Sequence, residues 1–210
     1  MRQVRVAQDF HCKPCAANAG HTDQEGGLGM FHPNIERLLE YWRARRTGAG
    51  APSRTSIDPS DFATLLPQVF MLGRKDAGFF RFRLVGGVIA ELHHQDLRNA
   101  DVLSLWGGED RLRLAAALES SRRRVEPFVV LADARAAGGL ECPIQVLFAP
   151  LTDPDGRPDR VIGLYQPTAL LARLSGRPVE RLSTQRLVPA QDHGDTPALR
   201  LAVVDGRRIA

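Results

Sequence analysis

Apolar and polar positions alternate most regularly between Asp61 and Leu92. Val69–Leu72 is a short apolar run, and Lys75-Asp76-Ala77-Gly78 supplies turn chemistry, with glycine tolerating the positive φ that closes a hairpin. Phe80, Phe82 and Leu84 then alternate with Arg81 and Arg83, a period of two that predicts a strand with one dry and one wet face. Gly86-Gly87 breaks the strand, and Val88–Leu92 predicts a short helical turn folded back on the hairpin. Upstream, Ile35, Leu38, Leu39 and Trp42 recur at i, i+3, i+4 and i+7, the stripe of an amphipathic helix. Pro33 suits its first position, Glu36 its positive end and Arg43, Arg45 and Arg46 its negative end. Two partners are open for this stripe. It packs on the sheet of its own chain, the preferred expectation, or Ile35, Leu38, Leu39 and Trp42 form an interface with a second copy.

Between helix and hairpin, Asp58-Pro59-Ser60-Asp61 reads as a cap that opens a short helix through Leu66, where Pro67 stops it. After the hairpin comes a polar stretch from His93 to Asp101. Adjacent His93 and His94 point apart in helix or strand, which favours surface or pocket-rim histidines over a metal site. Val102–Trp106 is apolar, with Trp106 covering one end of the core. A helix is predicted over Glu109–Val125, with Leu112, Ala115, Ala116, Leu118 and Val125 as its apolar contacts and Arg122-Arg123-Arg124 as a solvated end. Three strand-like stretches follow, Phe128–Asp133, Cys142–Leu151 and Arg160–Leu170, joined at Gly138-Gly139 and Asp153-Pro154-Asp155-Gly156. Cys142 reads as a small buried hydrophobe. Leu199–Val204 has strand composition. The expected division is a leader over 1–30, helix and linker over 31–60, a core over 61–172, and an extension with a short strand over 173–210.

Composition changes this picture little. The chain has 210 residues, 43% hydrophobic and 25% charged, as in ordinary globular proteins. No apolar run approaches the roughly 20 residues that span a bilayer, and no secretory signal opens the chain. The expectation is a cytoplasmic protein without membrane contact. The net charge of +4 comes from arginine, since Lys13 and Lys75 are the only lysines. With 6% aromatic residues, mostly Phe in apolar runs, the basic-plus-aromatic pattern of a nucleic-acid surface is missing.

Residues 1–30 admit three readings. Cys12 and Cys15 form a C-x-x-C and, with His21 and His32, make weak zinc candidates whose spacing lacks a tight second pair. The segment also reads as a polar, Gly-rich disordered tail. Thirdly, Gln24-Glu25-Gly26-Gly27 can be encoded by a purine-rich ribosome-binding sequence suitably placed before Met30, which would make residues 1–29 a translated leader. The overall expectation is no metal. Nor does a nucleophile elbow, a phosphate-cradling glycine loop with lysine or a two-histidine-carboxylate cluster appear, so no enzyme activity is expected.

The predicted order is two strands, short helices, one longer helix and three antiparallel strands. With Leu38-Leu39, Tyr41-Trp42-Arg43, Pro52-Ser53-Arg54, Ile57-Asp58-Pro59, Leu65-Leu66-Pro67 and Phe82-Arg83-Leu84-Val85-Gly86, the chain resembles the single-domain PAS family of the alphaproteobacterial type over about Asn34–Leu170. The resemblance implies an α+β fold, a five-stranded antiparallel sheet with helices on one face, preceded here by the amphipathic helix. It also implies a regulatory role, frequent homodimerisation and contacts with other signalling proteins. Flavin photosensors of this fold carry a reactive Cys after an Asn. Here Ala100 follows Asn99, and no Cys lies between Cys15 and Cys142. No His occurs in Glu109–Val125, where haem sensors commonly take their ligand. No cofactor is expected, and neither haem nor flavin-adduct chemistry fits.

Two functional readings remain. In one, a small ligand occupies a pocket lined, by position, by Phe82, Leu84, Ile89, Leu103, Trp106, Leu118, Phe148 and Leu164. In the other those residues are a filled core, and the protein is a ligand-free adaptor or dimerisation module. An arginine-mediated binder of nucleotide or nucleic acid is a more distant third.

Overall fold

A computed structural model describes residues 30–76 and 78–190, together with the backbone of two short paired strands at 203–204 and 207–208. Cys12, Cys15 and His21 lie outside these residues, as does most of the predicted C-terminal strand. Helix α1 (Pro33–Ala44) is followed by 3-10 turns at Arg54–Ser56 and Pro59–Gln68, then strands β1 (Val69–Asp76) and β2 (Phe79–Val85). Helix α2 (Gly87–His93), a 3-10 turn at Val102–Leu105 and helix α3 (Gly108–Arg124) lead to β3 (Phe128–Ala136), β4 (Leu140–Leu151) and β5 (Arg160–Pro167). A further strand, β6 (Val179–Pro189), pairs antiparallel with β3 and completes a six-stranded sheet of order β2-β1-β5-β4-β3-β6. Its residues fall in the segment read as an extension, where Arg, Gln, Thr and Glu obscure the strand pattern. β6 is an edge strand with only Val179 and Leu182 buried, so it needs little apolar sequence.

The sheet has two apolar faces. On one, α2, α3 and the turn before α3 cover Phe70, Phe82, Phe148, Val161 and Tyr165. On the other, α1 covers Val129, Leu147, Ala149, Ile162 and Leu164. Alternation along β5 explains the split, because consecutive side chains of a strand leave opposite faces. The stripe of α1 is satisfied within its own chain. Ile35, Leu38 and Leu39 are fully buried, and Trp42 is 1% exposed with its indole Nε1 donating to the Pro150 carbonyl at 2.7 Å. These four side chains therefore form the back of the sheet rather than an open surface. The start of α1 is pinned by side-chain amides: the His32 N–H donates to Gln145 Oε1 and Asn34 Nδ2 to Gln166 Oε1, both at 2.8 Å.

Along α3 the buried positions are Leu114, Leu118 and Ser121, whereas Leu112 is 72% exposed. Of the five predicted contacts, Ala115, Leu118 and Val125 pack as expected, whereas Leu112 and Ala116 lie on the side of the helix away from Leu114 and Leu118 and are exposed. Arg122 is not part of a solvated end. It pairs with Glu119 at 3.0 Å and approaches Asp159 at 3.9 Å.

Candidate functional site

The space between the sheet and the helices α2 and α3 is where the fold could enclose a ligand. Six of the eight predicted lining residues meet there: Phe82, Ile89, Leu103, Trp106, Leu118 and Phe148. The other two do not. Leu164 points to the α1 face. Leu84 is 45% exposed, because β2 carries a bulge: Leu72 pairs with Phe82 but Met71 with Leu84, leaving Arg83 as an extra residue that reverses the alternation beyond it.

The gathered residues form a chain of rings. Phe70 lies edge-on to Phe82 (5.7 Å between centroids) and to Phe148 (5.5 Å), and Phe148 stacks on Phe128 at 5.1 Å. Trp106 tilts against Phe148 at 6.3 Å. Such offset and edge-to-face contacts add to the apolar burial of each ring. Gly163 makes the arrangement possible, since a Cβ there would collide with the Phe70 ring and the Leu147 carbonyl oxygen.

Three polar groups are set into this apolar space. His93, expected at the surface or at a pocket rim, is 4% exposed. Its Nδ1 lies 3.0 Å from the Val179 carbonyl, which only accepts, so Nδ1 carries the proton and Nε2 presents a lone pair 3.4 Å from the Tyr165 hydroxyl. Burial lowers the His93 pKa to about 4 despite the Val179 contact, and burial raises that of Tyr165 above the ordinary phenol value. Both groups are neutral near pH 7. His94 takes the left-handed conformation that ends α2 and is exposed. The indole Nε1 of Trp106 is buried without a hydrogen-bond partner. Cys142 makes only long contacts, 3.7–3.8 Å, to the carbonyls of Pro143 and Ala169, and burial raises its thiol pKa, as suits a packing residue.

At the far edge of the helical layer, Glu119 receives the Arg74 Nε at 3.0 Å and the Arg122 Nη2 at 3.0 Å. Burial pushes its carboxyl up, but the two arginine bonds outweigh this and hold it below the ordinary value. These ion pairs tie α3 to β1. Neither this cluster nor the His93–Tyr165 pair was visible in the sequence. For His93 a signal existed in period-two β5, which places Tyr165 on the same face as Val161, but nothing local links residue 93 to 165.

Among the described residues no group of three His, Cys, Asp or Glu side chains could hold a metal, and no helix is long and apolar enough to cross a membrane. His32, the described member of the weak zinc set, uses its Nδ1 to accept the Asn34 N–H at 3.1 Å.

The family model described as PAS domain matches residues 30–166. Among solved structures, the dark structure of the blue-light photoreceptor aureochrome 1 LOV is similar at 11% identity and TM-score 0.41, covering 53% of this chain and 83% of that one. The phage VqmA–DPO complex is similar at 22% identity and TM-score 0.33, covering 51% of each chain. No curated protein matches.

Proposed function

Because the chain belongs to the PAS domain family, we propose that it is a non-catalytic regulatory module that acts through protein–protein contacts, as a homodimer and with other signalling proteins. The observation that supports this is the run of rings from Phe82 through Phe70 and Phe148 to Phe128 and Trp106. Contacting rings occupy part of the layer in which a ligand would lie, and large apolar side chains remain outside: Leu170 is 80% exposed, Leu112 72% and Phe79 52%. They lie on three separate elements, β2, α3 and the segment after β5, and each offers a contact position for a partner. Sedimentation velocity of the full chain over a wide concentration range tests the homodimer. The expected result is a shift from one to two chains that Leu112→Glu or Leu170→Glu weakens; a monomer at every concentration overturns self-association.

One observation favours a second reading, in which a small molecule modulates the module. The buried Trp106 Nε1 has no partner, and an unmade hydrogen bond of this kind costs about 1–3 kcal/mol. A small ligand carrying a carbonyl or ether oxygen would supply the acceptor after a modest shift of the rings. Native mass spectrometry, compared with the denatured mass of the same sample, separates the two readings. Extra mass that is lost on denaturation, and absent from Trp106→Phe, establishes the ligand; a bare native mass favours the filled-core adaptor.

A further inference from the structure

On the sheet face opposite the ring cluster, α1 covers β4 and β5 but leaves the β1–β2 side open. There Arg54, Thr55, Met71, Arg83, Leu84 and Arg160, together with Pro154, line an open concavity of about 690 Å³. No carboxylate lines it. The bulge at Arg83 re-aims that side chain across β1. Arg160, the direct cross-strand partner of Gly73 on β5, reaches the same place. With no side chain on Gly73 to separate them, Arg160 Nη1 and Arg83 Nε both come within 2.9 Å of the point where a Cβ would stand.

The three guanidiniums make poor use of their donors. Arg54 Nε donates to the thioether of Met71 at 3.1 Å, a weak acceptor, and Arg83 Nη1 to Asn99 Oδ1 at 3.5 Å. None of the three has a carboxylate partner among the described residues, whereas Arg45, Arg74, Arg113, Arg122 and Arg135 all do. Protection of an exposed edge strand accounts for a charge at 81 or 83. It does not account for arginines from two strands converging over one glycine, with a third, Arg54, lining the same concavity.

We infer that this concavity binds the phosphate group of a small organic molecule, with the guanidiniums of Arg54, Arg83 and Arg160 on the anion and the organic part against Leu84 and Met71. A multiply charged oxyanion offers guanidinium forks the paired acceptors they match. It also removes the repulsion between Arg83 and Arg160. The volume lies within the range of small-molecule sites. The site is on the outer face of the sheet, so it stands or falls independently of the reading of the core.

The test is calorimetric titration of the full chain at about 150 mM salt, where non-specific surface attraction is screened, with inorganic pyrophosphate and adenosine diphosphate as probes. Both are expected to bind, and Arg83→Ala and Arg160→Ala are each expected to weaken binding about tenfold or more. Arg54→Ala provides a third variant from another element. Arg123→Ala, which removes an equal charge from the exposed end of α3, is expected to leave binding unchanged. Tighter binding of adenosine diphosphate than of pyrophosphate assigns a nucleotide-like ligand; equal binding assigns recognition of the phosphate alone. Absence of binding by both probes overturns the inference. So does an equal loss in Arg123→Ala, which would mark a general charge effect.

Discussion

Gly163 lies against the Phe70 ring so closely that a methyl group at position 163 could not fit without moving the ring. Phe70 in turn contacts both Phe82 and Phe148. Gly163→Ala is therefore expected to cost about 1–3 kcal/mol through overpacking, measured as a lower midpoint in urea. Gly87→Ala provides the contrast. It lies in α2 with open space around its Cβ and no positive φ, and should raise stability by about 0.4–1 kcal/mol. If both substitutions were neutral, the close fit at Gly163 would be incorrect.

The back of the sheet gives a second prediction. Leu39→Ala should lower stability by about 2–5 kcal/mol, because it removes a fully buried side chain from the α1 layer. Trp42→Phe should cost about 1–3 kcal/mol for the orphaned Pro150 carbonyl alone. Since the stripe is buried within one chain, neither loss should depend on protein concentration. A concentration-dependent midpoint confined to the wild type would place this helix between chains.

A third prediction concerns pH. His93 has a folded pKa of about 4, below its ordinary 6.5, because burial disfavours the charged ring. The unfolded chain therefore binds the extra proton first. The stability contributed by the neutral ring is present above pH 6.5 and is lost as pH falls from 6.5 toward 4, with a slope of at most about 1.4 kcal/mol per pH unit. His93→Phe keeps an aromatic ring beside Tyr165 and removes the titration. Unfolding in urea at pH 7 and pH 5 should show a smaller difference in the variant than in the wild type. An identical difference would remove His93 as the source.

The Glu119 carboxylate behaves with the opposite sign. Its folded pKa is lowered by the two arginines, so its contribution is present above pH 4.5 and disappears as pH falls below that value. Glu119→Gln should cost on the order of 1 kcal/mol at pH 7 and much less at pH 3, read by thermal unfolding at each pH. Arg74→Gln removes only one of the two arginine partners of Glu119, so its pH dependence should have the same sign and be smaller. A Glu119→Gln cost that persisted undiminished at pH 3 would point to packing instead.

How much was legible in the chain differs by element. The α1 stripe, the β1–β2 hairpin and strands β3 to β5 were all present as local periodicity, and the structure places them within a few residues of the expected bounds. The order of these elements was enough to suggest the family that residues 30–166 match. The site was only partly legible. Phe82, Ile89, Leu103, Trp106, Leu118 and Phe148 could be gathered from apolarity and position. Leu84 could not, because a bulge is a mismatch between two strands and has no signature in either one alone. Leu164 could not, because β5 is apolar on both faces, and alternation then fails to say which face meets which layer.

The sequence by itself determined where the chain turns, which segments bury a face, and that the helix at 33–44 carries a stripe in need of cover. Those are local properties, written in spacings of two and of three to four residues, and in glycine and proline at turns. Only the tertiary structure decided that the stripe covers the back of its own sheet, that β6 joins the sheet at β3, and that His93 meets Tyr165 across 72 positions. It alone also set Arg83 beside Arg160 over the bare backbone of Gly73. Each of these is a contact between distant segments, fixed by register, by bulges and by the space left over when larger side chains have packed. No window along the chain contains that information, because the energy that selects it belongs to the pair and not to either partner.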